Sequence, residues 1–186
     1  MIDAGLAKRI RLVGMDVDGT LTDGGLYIGA LDGRRVELKR FDALDGMAMH
    51  LLRMAGLTTA IVTGRASPAA EIRARELQVD DYAGDDGGGH KLPLFERILE
   101  RHGVAARDAA FIGDDLADVP ILKRVGLPVA VANAVAEIKA QARFTTACDG
   151  GHGALREFVE AFLRARGCWD DTLRAYLTER GDDGAR

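Results

Sequence analysis

Short runs of apolar, often β-branched residues recur along this chain between helix-length stretches, and that alternation limits its fold more than any other feature. Residues 10–17, 58–62, 109–112 and 129–132 read as strands that are apolar on both faces. Residues 79–82 and 143–145 are weaker runs of the same kind. Between the runs, residues 46–55, 67–77, 92–102, 116–125, 134–142 and 154–166 carry helical spacing. Ser67-Pro68 supplies an N-cap followed by a proline at the first helical position. Continuous apolar strands separated by helices predict an α/β fold, a mostly parallel sheet covered on both faces. One segment breaks the alternation. Leu26-Tyr27-Ile28, the pair Asp32-Gly33 and residues 36–41 predict a β-hairpin over about 25–41, turned at Asp-Gly and inserted after the first strand.

At 186 residues the chain is sized for one domain, expected over 1–170 with a C-terminal tail at 171–186, mobile from 181 onward. The helical pattern fades after Gly167, so Cys168 and Trp169 read as surface or interface residues. Met47, Met49, Leu51, Leu52 and Met54 read as core or subunit contact. The 25 Lys and Arg against 29 Asp and Glu give a net charge of -4, which argues against a nucleic-acid partner. Two cysteines, Cys148 and Cys168, make neither a disulfide framework nor a zinc site and fit a reducing cytoplasm. The first eleven residues lack the apolar core of a signal peptide. Residues 127–136 fall far short of the about 20 apolar residues that span a bilayer, so no membrane partner is expected.

Four places carry candidate chemistry. The first strand ends in Asp16-Val17-Asp18-Gly19-Thr20, two carboxylates at the edge where open α/β sheets bind ligands. Asp-x-Asp on extended backbone points both acids to one side, where they repel until a divalent cation intervenes. The loop is no EF-hand, because Thr20, Leu21 and Tyr27 stand where that motif needs an acid, a glycine and a glutamate. Thr63-Gly64-Arg65 places a hydroxyl, backbone N–H groups and a cation at the end of a second strand, a set suited to an anion. Lys91 opens a helix, against the dipole preference for acids there, and a local rule broken without evident gain hints at function. The glycine-rich segment before it is no P-loop: His90 intervenes, Leu92 replaces Ser or Thr, and Asp85 and Asp86 would repel phosphate. Gly113-Asp114-Asp115 repeats the pattern of the first site at the same sheet edge, with Asp118 nearby. Asp114 is placed to complete a Mg²⁺ site with Asp16, and an acid such as Asp115 or Asp118 also makes an ordinary helix cap.

Taken in order, Asp-x-Asp-Gly-Thr, Thr-Gly-Arg, Lys and Gly-Asp-Asp-x-x-Asp resemble the haloacid dehalogenase superfamily of phosphatases over residues 11–166. Within it the chain looks most like the cap-less 3-deoxy-manno-octulosonate 8-phosphate phosphatases. Residues 16–24, 37–41, Asp45-Gly46, 61–65, 113–118 and 150–157 carry that likeness. The intervals 17–62 and 64–90 leave no room for a cap domain once their core elements are placed. The resemblance implies a Rossmann-like three-layer α/β/α fold, Mg²⁺ as cofactor and a homotetramer whose hairpins pack together. It also implies that a C-terminal segment closes a neighbouring site, which His152 could line.

The roles implied are Asp16 as nucleophile, Asp18 as acid and base, and Thr63 and Lys91 as phosphoryl ligands. Asp16, Asp18, Asp114 and Asp115 form the metal set. Asp18, Asp42, Asp45, Gly46, Gly64, Arg65 and Arg73 stand on the substrate side. The family commonly has Arg where this chain has Leu44, and its loop before the lysine is shorter than 85–90 here. The implied substrate is a sugar-acid phosphate, octulosonate 8-phosphate or else a nonulosonate 9-phosphate. Three other readings are weighed on the residues. A dehalogenase would lack the acid at Asp18, and a receiver domain would carry its acceptor on a later strand. A non-catalytic assembly module would tolerate loss of Asp16, Asp18 or Lys91, all of which are present.

Overall fold

The computed structural model describes residues 1–85 and 88–182. Residues 86–87 of the glycine-rich loop and 183–186 of the expected tail lie outside the described residues. Helix α1 (Ala4–Arg9) opens the chain, capped by Asp3, which accepts from the Leu6 N–H at 2.7 Å. Strands β1 (Leu12–Met15), β4 (Thr58–Thr63), β5 (Asp81–Gly84), β6 (Ala109–Gly113), β7 (Leu127–Ala130) and β8 (Phe144–Thr145) form one sheet. Its order is β5-β4-β1-β6-β7-β8, and every pairing is parallel. β1, β6 and β7 are buried along their whole length, so both faces of the sheet are covered, as the apolar runs require.

The chain moves from β1 outward to β4 and β5 through α2 (Ala43–Met54) and α3 (Pro68–Glu76). It then crosses by α4 (Lys91–Arg101) to β6 on the other side of β1. β1 therefore sits where the winding reverses, and the loops at its C-terminal end border a crevice. α5 (Val119–Leu122) and α6 (Ala136–Lys139) follow β6 and β7. α7 (Ala154–Arg166) packs against α1 and α2, with the bounds its spacing predicts. Gly14 sits at the centre of β1 because there is no space for more: a Cβ would lie 2.7 Å from Phe95 and 2.8 Å from Phe111.

β2 (Tyr27–Leu31) and β3 (Arg34–Leu38) form the expected hairpin as a separate two-stranded antiparallel ribbon. Asp32 at φ 50 and Gly33 at φ 72 make its turn, the two positive values that suit an Asp-Gly hairpin. Among the described residues, β1 and β4 are separated only by this hairpin and α2. No cap domain stands over the sheet edge among the described residues.

The structure departs from the sequence reading in several places: α2 begins three residues early, and the helix expected over 134–142 is the single turn of α6. Residues 116–125 are a turn of 3-10 helix (Leu116–Asp118) running into the single turn of α5, because the Asp118 side chain is turned inward. β7 begins two residues before the expected strand and takes in Leu127 and Pro128. Most of the expected tail is a helix, α8 (Trp169–Glu179), which packs on α2 and α7. Trp169 is buried rather than superficial, held between the guanidinium groups of Arg156 and Arg164 at 5.4 and 4.9 Å. Among the described residues no helix is long and apolar enough to cross a membrane.

Candidate active site

Chain geometry brings three strand ends and one helix start to the same crevice. The Asp16 N–H donates to the Ile112 carbonyl at 3.1 Å, carrying the β1–β6 pairing one residue past the strand. The backbone then turns sharply: the N–H groups of Thr20, Leu21 and Thr22 all donate to the Val17 carbonyl. Gly19 takes φ +84 in this turn, and a Cβ there would collide with the Asp114 carboxylate. The Thr20 hydroxyl donates to Asp114 Oδ1 at 3.0 Å, tying the turn after β1 to the end of β6.

Lys91 explains its own irregular place at a helix start. It is buried, with Nζ 2.6 Å from Asp16 Oδ1 and 2.9 Å from Asp118 Oδ1. Asp118 is fully buried, and its second oxygen accepts the Asp114 N–H at 3.2 Å. Gly64 lets the helix start come close, since a Cβ there would lie 2.9 Å from Gly89 Cα and 3.4 Å from Lys91 Cε. The Thr63 hydroxyl accepts the Arg65 N–H at 3.1 Å and donates to the Arg65 carbonyl at 3.2 Å, which shapes the turn that presents Gly64.

Carboxylate oxygens of Asp16, Asp114 and Asp118 lie within 4.8 Å of one another. Three acids facing one ammonium leave an excess of negative charge. Burial, and after it the Asp118 carboxylate, holds Asp16 well above the usual carboxylate range despite Lys91. The same two causes push Asp114 up to about 6. Burial alone would lower Lys91, but Asp16 and Asp118 outweigh it and keep the ammonium protonated. An oxygen-rich, over-acidic cluster of this kind suits a hard divalent cation, so the residues present fit Mg²⁺.

A cleft of about 270 Å³ opens over the cluster, lined by Asp16, Asp18, Thr63, Gly64, Arg65, Lys91, Asp114 and Asp115 together with Leu26, Gly89 and Ala117. The nucleophile, phosphoryl and metal candidates therefore converge, with one exchange. Asp115 stays at the rim, exposed, accepting the N–H of Leu116 at 2.7 Å. Asp118 takes the inner place because its helical turn points it at Lys91.

Four substrate-side candidates lie outside the cleft lining. Asp42 caps α2, accepting the Leu44 N–H at 2.8 Å. Asp45 is buried and accepts the Arg156 N–H at 3.0 Å, which makes it a cap for α7. Gly46 allows Arg73 to lie against α2, as a Cβ there would sit 2.8 Å from the guanidinium. Arg73 itself stacks on Phe41 at 5.8 Å and pairs with Glu76 at 3.2 Å. His152 Nδ1 lies 2.9 Å from the Gly150 carbonyl and Nε2 lies 3.4 Å from Arg40, beside the turn and not in the cleft.

Sequence reasoning passed over Asn133, whose side-chain amide donates to the Gly19 carbonyl at 3.0 Å and accepts the Gly150 N–H at 2.7 Å. It braces the turn after β1 against the loop before α7. Its position just past β7, at the same sheet edge as the acids, was the available signal.

With this geometry in hand, comparison with known proteins is decisive. Residues 86–157 match the haloacid dehalogenase-like hydrolase family. A 3-deoxy-D-manno-octulosonate 8-phosphate phosphatase from Escherichia coli (strain K12) is 37% identical over 165 residues, 89% of this chain and 85% of the relative. The chain belongs to the haloacid dehalogenase phosphatases. It is a phosphoric monoester hydrolase. A crystal structure of 3-deoxy-D-manno-octulosonate 8-phosphate phosphatase from Moraxella catarrhalis, in complex with magnesium, phosphate and KDO, superposes with a TM-score of 0.85. It is 32% identical and covers 93% of this chain and 97% of that one. The cobalt-bound deoxy-D-mannose-octulosonate 8-phosphate phosphatase from Haemophilus influenzae gives 0.83 at 32% identity, covering 92% and 99%.

Asp45 gives the site its pH test. Burial pushes its carboxyl up to about 6, above its value in an unfolded chain. The folded protein thus holds this proton more tightly, and the associated stability is lost as pH rises from about 4 to about 6. Urea midpoints over that range should show wild-type protein losing on the order of 1–2 kcal/mol relative to Asp45→Asn, which keeps an acceptor for α7. Parallel pH profiles for the two proteins would contradict the assignment.

Proposed function

We propose that the protein is a Mg²⁺-dependent phosphatase acting on 3-deoxy-D-manno-octulosonate 8-phosphate through an aspartyl-phosphate at Asp16. The observation that carries the reading is the buried Asp16–Lys91–Asp118 set with Asp114 beside it, at the floor of an open cleft. The Moraxella catarrhalis relative, solved with magnesium, phosphate and KDO, supports the same choice of metal and substrate.

Asp16 attacks phosphorus, and the bond to the sugar oxygen breaks. Asp18 protonates the departing oxygen, then takes a proton from the water that hydrolyses the aspartyl-phosphate, two halves of one role. Lys91 holds the Asp16 carboxylate in line and offers its ammonium to the phosphoryl oxygens, with Thr63 and the Gly64 N–H beside it. Arg65, at the cleft wall, faces the sugar acid. Asp16 and Asp114, with the backbone carbonyl of Asp18, would hold Mg²⁺, which when bound offsets the repulsion between a phosphate dianion and these carboxylates. Leu44 is 57% exposed at the start of α2, so the substrate meets no cation at that position.

The hairpin supports assembly as a homotetramer. Leu26, Tyr27, Ile28, Leu31 and Leu38 are between 47% and 66% exposed on a ribbon too small to be stable alone. A second copy of the ribbon would bury them and enclose the open cleft.

Two measurements test the reading. Phosphate release should need Mg²⁺ and fall by about three orders of magnitude in Asp16→Asn; substantial turnover in that variant would sink it. Across a panel of sugar phosphates the octulosonate ester should give the highest kcat/KM, and a preference for a nonulosonate 9-phosphate would reassign the substrate. For the assembly, light scattering should give a tetramer, and Leu31→Asp with Leu38→Asp should lower its mass and its activity together. A fully active wild-type monomer would contradict it.

A further inference from the structure

The hairpin has a second face, turned toward the cleft. Residues two apart on extended backbone share a side, so Arg35 and Glu37 lie together on β3, and Lys39, just past the strand, joins them through its contact with Glu37. The Lys39 side chain is only 1% exposed. Its ammonium pairs with the carboxylate of Asp18 and lies 3.5 Å from Glu37 Oε1. Glu37, 10% exposed, pairs in turn with Arg65 and lies 2.9 Å from Arg35. A continuous chain of opposite charges therefore runs Asp18, Lys39, Glu37, Arg65. Both of its ends line the cleft, and its middle belongs to the hairpin.

A buried ammonium costs several kcal/mol unless it is paired, and an apolar side chain of similar volume would anchor a ribbon at least as well. An anchor alone thus gives no reason for a lysine at 39. Contact with the acid and base of the reaction does give one. Resting on the phosphatase reading above, we propose that Lys39 is a positioning residue for Asp18. It holds that carboxyl at the cleft wall for proton delivery to the leaving oxygen, and Glu37 fixes Lys39 and Arg65 relative to each other. The hairpin is then part of the catalytic apparatus as well as a contact surface.

The experiment compares two esters, because kcat/KM covers the steps only up to departure of the leaving group. A sugar alkoxide needs a proton as it leaves, whereas p-nitrophenolate departs without one. In the full-length protein with Mg²⁺, Lys39→Met should lower kcat/KM for the sugar phosphate by about 10- to 100-fold. For p-nitrophenyl phosphate it should stay within about threefold of wild type. Lys39→Arg should recover most of the loss, and Glu37→Gln should show a smaller loss of the same selectivity. Lys39→Gln takes the place of Lys39→Met if the latter does not fold. Equal losses on both esters, or no loss on the sugar phosphate, overturn the inference while leaving the phosphatase reading intact. Wild-type protein that hydrolyses neither ester overturns both.

Discussion

A lysine with almost no access to water organises this protein. Lys91 opens α4 on one side of the sheet, Asp16 ends β1, and Asp118 lies beyond β6, yet the three meet within hydrogen-bond distance. Removing either carboxylate would leave the ammonium poorly compensated, and breaking a buried pair of this kind costs about 3–5 kcal/mol. The same contact fixes where the Asp16 carboxylate points and leaves an ammonium at the floor of the cleft. It does not neutralise the site, because Asp114 stands beside the pair and is itself held above its ordinary range. The fold thus builds a pocket with more carboxylates than cations, an arrangement that suits a divalent cation.

The catalytic core was legible in the sequence because it rests on local rules. A strand must end somewhere, and acids or hydroxyls at those ends mark the ligand edge of a parallel sheet. This is why Asp16, Thr63 and Asp114 could be placed from spacing alone, and why Lys91 stood out as a misplaced charge. Partnerships set by packing were not legible. Asp115 and Asp118 look alike in the sequence, and only the inward turn of the 3-10 segment brings Asp118 to Lys91 while Asp115 stays at the cleft rim. Asp45 and Arg73 have the right chemistry for a sugar acid, but burial against α7 and stacking on Phe41 employ them elsewhere. α8 was missed although Trp169, Leu173 and Tyr176 carry helical spacing, because Gly167 closes α7 and its anchor, Trp169, is held by arginines of that preceding helix.

On the proposed reading, one element of a small chain, the hairpin, serves two needs. Its turn and ladder follow from Asp32-Gly33 and strand alternation, which the sequence states openly. Alternation places Tyr27, Leu31 and Leu38 on one face and Glu37 on the other, and from that second face Glu37 reaches Arg65 in the cleft. Among the described residues no further element stands over the sheet edge, so the ribbon is the part of this chain nearest to a cover for the cleft.

The central claim is that Asp16, held by Lys91, becomes covalently phosphorylated. Rapid acid quench of the protein during turnover of a phosphate-labelled sugar ester, followed by peptide mapping, tests it most directly. Label on the peptide that contains Asp16, reaching a steady level within the first turnover, is the result expected. Label on a peptide without Asp16, or none while phosphate is being released, would contradict it.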